Sequence, residues 1–393
     1  MTDPVVISAY ARTPMGGFQG AFSSVSAVQL GATAIKAAVE RSGVDSQAID
    51  RIYMGCVLPA GLGQAPARQA ALGAGLAQSV EATTVNKMCG SGMQATIMAA
   101  EALAAGAVEV VVAGGMESMT NAPYALPKHR GGARIGHDRI VDTMMMDGLE
   151  DAYDAGKPMG AFAQDTANDY AFSREDMDSY ALESLRRAIA AVTDGTFADE
   201  IVPVTVTGRS GSSIVSEDEQ PGLAKPAKIP GLKPAFARDG TITAASSASI
   251  SDGAAALVLT RRSVAERLNL AQEACLVAAA SHAQAPALFT TAPVFAIRKV
   301  LDKAGWSVAD VELFEVNEAF AAVAMIAMRD LDIPRDRINV NGGATALGHP
   351  IGASGARIIA TLIAALKARG KKKGVASLCI GGGEATAVAI EII

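Results

Sequence analysis

The feature that most constrains the fold of this 393-residue chain is an internal repeat. Three pairs of segments correspond: residues 42–54 with 304–316, 91–92 with 354–355, and 114–117 with 381–384. Self-similarity of this kind indicates two copies of one supersecondary unit. In both copies, short apolar runs typical of buried strands alternate with segments of helical period. The repeat therefore predicts a duplicated α/β architecture.

The two copies are separated by a segment of different composition. Residues 120–249 are polar and contain many Gly, Pro and Ser residues, apart from one amphipathic helix that Ser173 is expected to cap. We interpret this segment as an insertion that packs on the core as a lid or binding domain. The predicted N-terminal half then comprises residues 1–119 and 250–273. The C-terminal half comprises residues 274–393.

Composition excludes several classes of function. Half of the residues are apolar and 19% are charged, which is typical of a packed globular chain. The net charge of −6 provides no basic field for nucleic acid. No apolar run is long enough to span a bilayer. Residues 5–9 are predicted to form a strand, so we expect no targeting peptide. We also expect no membrane partner and a cytoplasmic location.

The four cysteines lie far apart in the sequence: Cys56, Cys89, Cys275 and Cys379. They form no Cys-x-x-Cys spacing, so we expect neither a disulfide framework nor a metal site. Such cysteine usage fits a reducing compartment. The cysteines that deserve functional scrutiny are those at the ends of predicted elements.

Cys89 is the first candidate catalytic residue, because it lies where a glycine-rich turn enters a helix predicted at residues 93–105. A helix N-terminus offers free N–H groups and the positive end of a dipole. Both favour the thiolate, so the sequence predicts a lowered pKa and a nucleophilic thiol. The alternative is a small buried core residue. The neighbouring Gly90 and Gly92 favour function, since they let a ligand approach the backbone.

Three later residues carry reactive groups at expected strand ends, where open α/β sheets bind ligands. Asn317 follows a strand, His349 stands in a glycine-rich loop before a helix, and Cys379 ends another strand. A Cys–His pair activates a nucleophile, while an asparagine and backbone N–H groups can stabilise an oxyanion. A second cysteine can transfer protons. Each residue alone could be structural, but together they favour a site.

Four motifs in this chain resemble the signatures of the thiolase family, specifically its biosynthetic acetyl-CoA acetyltransferases. They are Asn-Lys-Met-Cys-Gly-Ser-Gly at 86–92, Asn-Glu-Ala-Phe at 317–320, Gly-His-Pro-Ile-Gly-Ala-Ser-Gly at 348–355 and Cys-Ile-Gly-Gly-Gly at 379–383. The resemblance covers essentially the whole chain. It implies a duplicated thiolase fold, with two βαβαβαββ-type halves in a layered αβαβα arrangement. The inserted loop domain would cover an active site between the halves.

The resemblance also implies a reaction, the reversible Claisen condensation of two acetyl-CoA molecules to acetoacetyl-CoA and CoA in fatty acid metabolism. Cys89 would form the acyl-enzyme after His349 takes its proton, and Cys379 would transfer the α-carbon proton. One oxyanion hole would combine His349 with a water held by Asn317. The other would use the N–H groups of Cys89 and Gly381. No metal or cofactor is implied, because CoA is a substrate and product.

Family members are usually dimers or dimers of dimers, so the resemblance implies a homodimer or a homotetramer. It places CoA recognition largely in the inserted domain. The residues that match the family's lining positions are Met159, Phe236, Ala244, Ala319 and Phe320.

The chain departs from the family pattern at three of the CoA positions. Lys157 and Pro158 precede Met159, where a histidine is common. Ala248 replaces a serine that usually contacts pantetheine, unless Ser247 or Ser249 substitutes. Gln220 and Pro221 stand near the place of a common arginine, so Lys225 or Lys228 is expected to meet the phosphates.

Three other functions are compatible with parts of this pattern. A degradative 3-ketoacyl-CoA thiolase has the same residues but cleaves longer chains. A ketoacyl synthase-like condensing enzyme normally has histidine in place of Cys379. A non-catalytic thiolase-like binding protein would not need all four reactive side chains.

Overall fold

The computed structural model describes residues 3–208 and 211–393. Residues 1–2 of the predicted N-terminal half and residues 209–210 of the predicted insertion lie outside the described residues. The strands are β1 (Val5–Arg12), β2 (Gly16–Gly17), β3 (Arg51–Gly55), β4 (Glu81–Val85), β5 (Val110–Ser118), β6 (Tyr124–Ala125), β7 (Val141–Asp142), β8 (Val204–Gly208), β9 (Gly211–Val215), β10 (Ser251–Arg261), β11 (Ala274–Ala283), β12 (Leu313–Val316), β13 (Lys373–Ile380) and β14 (Glu384–Ile392). The helices are α1 (Ala27–Ser42), α2 (Pro66–Gly73), α3 (Ser91–Ala104), α4 (Met159–Asp169), α5 (Arg174–Thr193), α6 (Glu219–Leu223), α7 (Arg262–Leu268), α8 (Ala292–Ala304), α9 (Ala321–Leu331), α10 (Ala344–Leu347) and α11 (Ser354–Ala368).

The main sheet contains the same strand arrangement twice. One half runs β4-β3-β5-β10-β1, with β3 parallel to β4 and β5, and β10 antiparallel to β5 and β1. The other half runs β12-β13-β14-β11 with the corresponding directions, and a parallel bridge from Phe314 to Ile338 replaces a fifth strand. The halves join where β1 pairs with β11 over Val6 and Ile7. The predicted duplicated α/β fold is confirmed.

Helices form three layers around the two halves. Apolar residues of α3 and α11 share one core cluster with strands from both halves. Helices α1 and α2 pack on the outer face of the N-terminal half, and α8 and α9 on that of the C-terminal half. The central helices touch closely, since a Cβ on Gly355 would lie 2.3 Å from the backbone nitrogen of Met93. This packing produces the αβαβα layering and requires glycine at the contact.

The segment between β5 and β10 holds α4, α5, α6 and the pairs β6–β7 and β8–β9. Helix α5 begins with a capping box in which Ser173 and Asp176 bond each other's backbone N–H groups. A buried ion cluster ties this segment to β1. Arg12 donates to Glu200 at 2.6 Å and to Asp218 at 2.7 Å, and all three side chains are fully buried.

Two element boundaries differ from those predicted by the sequence. Strand β5 continues through Gly114 and Gly115, where a turn was expected, because both residues still pair with β3 and β10. Helix α3 begins at Ser91, two residues before the predicted start at Met93. The Ser91 hydroxyl donates to the Met88 carbonyl at 2.6 Å and thereby closes the turn that carries Cys89.

The strand pairing also revises the third correspondence of the repeat. Met54 pairs with Gly114 on β5, and Val316 pairs with Ser377 on β13. Met116 lies two residues beyond Gly114 on β5, and Cys379 lies two residues beyond Ser377 on β13. Met116 and Cys379 therefore occupy corresponding positions. The glycines before Glu117 and Glu384 therefore share a sequence pattern without sharing a structural position.

No helix in the described part of the chain is both long and apolar enough to cross a bilayer.

Candidate active site

Four of the five predicted catalytic residues line one pocket at the seam between the halves: Cys89, His349, Cys379 and Gly381. Cys89 comes from the turn before α3, and His349 comes from the loop between α10 and α11. Cys379 lies near the end of β13, with Gly381 just beyond it. The fifth residue, Asn317, is buried beside His349. The structure therefore brings together residues from distant parts of the chain, since Cys89 and Gly381 are 292 positions apart (381 minus 89).

The Cys89 thiol does not have the lowered pKa that the sequence predicts. Burial raises the pKa of Cys89 to about 11, although hydrogen bonds from the N–H groups of Gly381 and Cys89 lower it, and the charge of Glu117 raises it further. Removal from water thus outweighs the helix end and both N–H groups. Cys89 is therefore a thiol and not a thiolate near neutral pH. The same two N–H groups are placed to stabilise negative charge near its sulfur.

Ser354 sets the protonation of the His349 ring. The Ser354 hydroxyl donates to the Pro350 carbonyl at 2.9 Å and lies 2.6 Å from Nδ1 of His349. Because a hydroxyl has one hydrogen, Ser354 accepts the second bond from Nδ1–H. The Nε2 lone pair is therefore free to take a proton. Sequence reasoning assigned Ser354 no role beyond the repeat, although it lies within the histidine motif.

The His349 ring is neutral in the folded protein. It is 7% exposed. Burial lowers the pKa of His349 to about 3, and the nearby positive charge of Arg357 contributes to this shift. A neutral imidazole with a free Nε2 can act as a base.

Asn317 links His349 to helix α11. Its Nδ2 lies 3.4 Å from Nε2 of His349, and its Oδ1 accepts a hydrogen bond from Nη2 of Arg357 at 3.1 Å. The backbone N–H of Asn317 donates to the Ser377 carbonyl at 3.0 Å, which continues the pairing of β12 with β13. Asn317 is 1% exposed, so its amide is held in one buried position.

Glu318 anchors the loop that carries Asn317, a role that sequence reasoning missed. Its buried carboxylate accepts hydrogen bonds from Tyr180 at 2.8 Å, Ser184 at 2.7 Å, Asn339 at 2.8 Å and the Thr345 hydroxyl at 2.6 Å. A carboxylate directly after an apolar strand was the available signal. These bonds connect the loop with α5 of the insertion and with α10.

Glu117 connects the two halves beside the pocket and was also missed. Its carboxylate accepts N–H groups from Val57 at 2.9 Å and Leu58 at 3.1 Å in the N-terminal half. It also accepts the N–H of Gly352 at 2.8 Å, in the loop that carries His349. Burial raises the pKa of Glu117 to about 7, although these three N–H groups lower it.

Cys379 is 1% exposed, and burial raises the pKa of its thiol well above the ordinary value; a thiolate at Cys89 would raise it further. It is therefore a neutral thiol in the free protein. Its thiolate, once formed, would be a strong base, because a high pKa describes a conjugate base with high proton affinity.

The residues predicted to contact CoA divide into two groups. Met159, Ala248, Ala319 and Phe320 line the pocket together with the catalytic candidates. The others do not: Phe236 packs edge-on against Phe320, Ala244 and Lys228 are exposed, and Ser247 donates to the Thr243 carbonyl at 2.8 Å. Ser249 also lines the pocket, whereas the hydroxyl of Ser247 is already engaged.

All four cysteines are free thiols. Across residues 3–208 and 211–393, His, Cys, Asp and Glu side chains do not gather in groups of three or more that could hold a metal ion.

Comparison with known proteins matches two family descriptions to this chain. "Thiolase, N-terminal domain" matches residues 5–263, and "Thiolase, C-terminal domain" matches residues 270–392. Together the two matches extend over nearly the whole chain.

Curated relatives match over nearly their full length. Acetyl-CoA acetyltransferase 2 of Arabidopsis thaliana is 49% identical over 393 residues, which covers 99% of this chain and 97% of that protein. Acetyl-CoA acetyltransferase of Escherichia coli strain K12 is 48% identical, with 100% and 99% covered.

Solved structures match equally completely. The acetyl-CoA acetyltransferase of Bacillus anthracis superimposes with a TM-score of 0.97 at 41% identity, covering 100% of this chain and 99% of that one. The Acat5 thiolase of Ascaris suum in complex with coenzyme A gives a TM-score of 0.94 at 42% identity, covering 99% and 100%.

Proposed function

The chain belongs to the thiolase family, and we propose that it is an acetyl-CoA C-acetyltransferase that condenses two acetyl-CoA molecules reversibly to acetoacetyl-CoA and CoA. The observation that carries this proposal is the meeting of Cys89, His349 and Cys379 in one pocket. The curated relatives named acetyl-CoA acetyltransferase, which are 48% and 49% identical, support the same reaction.

In the first half of the proposed reaction, His349 Nε2 takes the proton of the Cys89 thiol. The sulfur then attacks the acetyl carbonyl, forming the Cys89 thioester as the bond from the acetyl carbon to the CoA sulfur breaks. The leaving CoA thiolate takes the proton of Cys379. The acetyl-enzyme, a protonated His349 and a Cys379 thiolate remain. These transfers balance because all three groups start neutral, as the raised pKa of the two thiols and the lowered pKa of His349 indicate.

In the second half, the Cys379 thiolate removes an α-carbon proton from another acetyl-CoA. The resulting enolate attacks the Cys89 thioester, so a carbon–carbon bond forms and the carbon–sulfur bond to Cys89 breaks. Cys89 leaves as a thiolate and regains its proton from His349. The high proton affinity of Cys379 suits this step, because an α C–H beside a thioester is a weak acid.

Two oxyanion sites would stabilise the negative charge that develops on the carbonyl oxygens. The N–H groups of Cys89 and Gly381, which already hydrogen-bond the Cys89 sulfur, form the first. Protonated His349, with a water held by Asn317, forms the second. Preorganised donors of this kind are worth most in a buried site.

An acetyl-sized acyl group is favoured by the walls of the pocket. Met119, Leu149, Phe289 and Ile351 present bulky apolar side chains around Cys89. Such walls leave room for a small acyl group and limit longer chains. The pantetheine of CoA would run along Met159, Ala248 and Phe320, and Lys228 or Lys225 would meet the phosphates from the exposed turn of the insertion.

We further infer a homodimer or homotetramer in the cytoplasm. Among the described residues, strand β4 pairs only with β3, and so offers a free edge to another subunit. Four free thiols fit a reducing compartment. In keeping with the reaction above, CoA is a substrate and product and no further cofactor is proposed.

The test combines acyl trapping with a substrate series. After incubation with acetyl-CoA, mass spectrometry should find one added acetyl group on Cys89, none in Cys89→Ala, and wild-type labelling in Cys275→Ala, whose cysteine lies outside the pocket. Thiolysis with CoA should be fastest for the four-carbon 3-oxoacyl-CoA, compared with eight carbons or more.

Three results would contradict the proposal in different ways. Much faster thiolysis of long chains would indicate a degradative 3-ketoacyl-CoA thiolase. A complete lack of acetyl labelling and turnover in the wild type would indicate a binding protein. Full turnover by Cys89→Ala would reject the mechanism itself.

A further inference from the structure

Arg357 is a buried charge in a helix that is mostly apolar. It follows Ala356 and precedes Ile358 in α11, and it is 1% exposed. Its Nη2 donates to Oδ1 of Asn317 at 3.1 Å. We infer that Arg357 is a positioning residue, which fixes the amide of Asn317 so that its NH2 group faces His349. This inference rests on the proposed function.

The two ends of the Asn317 amide differ in hydrogen bonding, because the oxygen accepts and the NH2 group donates. The oxygen and the NH2 group of asparagine have nearly the same shape, so packing alone does not choose between the two orientations. A guanidinium has only donors, and therefore only Oδ1 of Asn317 can face Arg357. The NH2 group is then left on the side of the His349 ring, where Nδ2 lies 3.4 Å from Nε2 and 3.5 Å from Nδ1. A flipped amide would place NH2 against the guanidinium, two donors facing each other, and would turn Oδ1 toward the His349 ring.

Arg357 also forms a buried ion pair with Glu315, in which Nη1 lies 3.9 Å from Oε2, beyond hydrogen-bonding distance. The hydrogen bond to Asn317 is the shorter of these two contacts. Nε and Nη1 have no hydrogen-bond partner among the described residues. Burying a guanidinium is costly, and a well-packed apolar residue usually stabilises a core at least as well. We therefore base the role of Arg357 on its hydrogen bond with Asn317.

The chain supplies a matched control. Arg369, at the C-terminal end of the same helix, donates from Nη2 to Oδ1 of Asn341 at 2.8 Å. Neither residue lines the pocket with Cys89. Arg369→Met therefore removes the same kind of arginine–asparagine bond away from the reacting groups.

The experiment is a double-mutant cycle on acetoacetyl-CoA thiolysis with wild type, Arg357→Met, Asn317→Ala and the double variant. Arg357→Met should lower kcat by about tenfold or more, with KM within about threefold, because the donor acts on developing charge. In the Asn317→Ala background the same change should cost less than about threefold, because the group that Arg357 orients is gone. Arg357→Lys, which keeps a charged donor, should recover part of kcat.

Two outcomes would overturn the inference: kcat of Arg357→Met equal to that of Arg369→Met, or an undiminished penalty in the Asn317→Ala background. If Arg357→Met does not fold, as judged by its thermal transition, Arg357→Lys takes its place in the cycle with the same criteria. An inactive wild type would instead reject the proposed function, so the two failures are distinguishable.

Discussion

The two halves of the core have the same strand order but different chemistry at their strand ends. Where the N-terminal half has Gly55 and Met116, the C-terminal half has Asn317, just beyond β12, and Cys379, near the end of β13. Strand pairing uses backbone atoms and therefore tolerates this divergence of side chains. A duplicated scaffold can therefore supply the nucleophile from one copy and its partners from the other.

The difference between the residues at the strand ends of the two halves also has a steric reason. The loop that carries His349 lies directly on the strand ends of the N-terminal half. A Cβ on Gly115 would lie 2.0 Å from the Gly352 carbonyl oxygen, and one on Gly55 would lie 2.6 Å from it. Small residues in one half thus let the loop of the other half approach. The N-terminal half thus supplies the nucleophile Cys89 and the surface on which this loop packs, and the C-terminal half supplies His349, Cys379 and Asn317.

The first test of the difference between the halves removes the reactive thiol at the strand end of the C-terminal half. Cys379→Ala should lower kcat of condensation by about a thousandfold or more, because no base remains for the α-carbon proton. Cys89 should still accept acetyl from acetyl-CoA, because the nucleophile and His349 are intact, but more slowly, because the leaving CoA thiolate loses its proton donor. Steady-state rates and mass spectrometry of the trapped enzyme measure the two halves of the reaction separately. Near-normal turnover would show that Cys379 is not the base.

A second test compares the two glutamates whose surrounding sequences look alike. Glu117→Ala leaves the buried N–H groups of Val57, Leu58 and Gly352 without their acceptor, which should cost about 3 kcal/mol of unfolding free energy and lower kcat about tenfold. Glu384 forms a partly exposed ion pair with Lys87, so Glu384→Ala should cost about 1 kcal/mol or less. The measurements are urea unfolding and kcat of both variants. Equal losses of unfolding free energy in the two variants would refute the distinction between Glu117 and Glu384.

The third test uses pH, and its effects are the smallest. The pKa of His349 is lowered from 6.5 to about 3, so its stabilising contribution is complete above pH 6.5 and is lost as pH falls toward 3. The pKa of Glu117 is raised from 4.5 to about 7, so its contribution is complete below pH 4.5 and is lost as pH rises toward 7.

Single variants separate these opposite slopes. His349→Asn should flatten the loss of stability between pH 6.5 and 3, and Glu117→Gln should flatten the loss between pH 4.5 and 7. The measurement is the urea midpoint as a function of pH for both variants and the wild type. Because the two contributions oppose each other between pH 4.5 and 6.5, each variant is compared with the wild type, and a variant whose profile equals that of the wild type would contradict its assignment.

The sequence was sufficient to predict the residues whose position follows from a local pattern. The repeat, the alternation of strands and helices and the order of four motifs were sufficient to predict the layered fold and to place Cys89, His349 and Cys379 near one another. Sequence reasoning missed Ser354, Glu117 and Glu318. Their partners are distant in the chain, or, for Ser354, are chosen by the conformation of a loop.

The sequence by itself thus determined the architecture and the set of reactive groups, because periodicity and motif spacing are properties of neighbouring residues. The tertiary structure decided the state of those groups. Cys89 has a raised pKa because burial outweighs the helix end, and His349 is neutral because it is desolvated near Arg357. The amide of Asn317 has one orientation because a guanidinium faces its oxygen. Desolvation and long-range contacts exist only once the two halves have packed together.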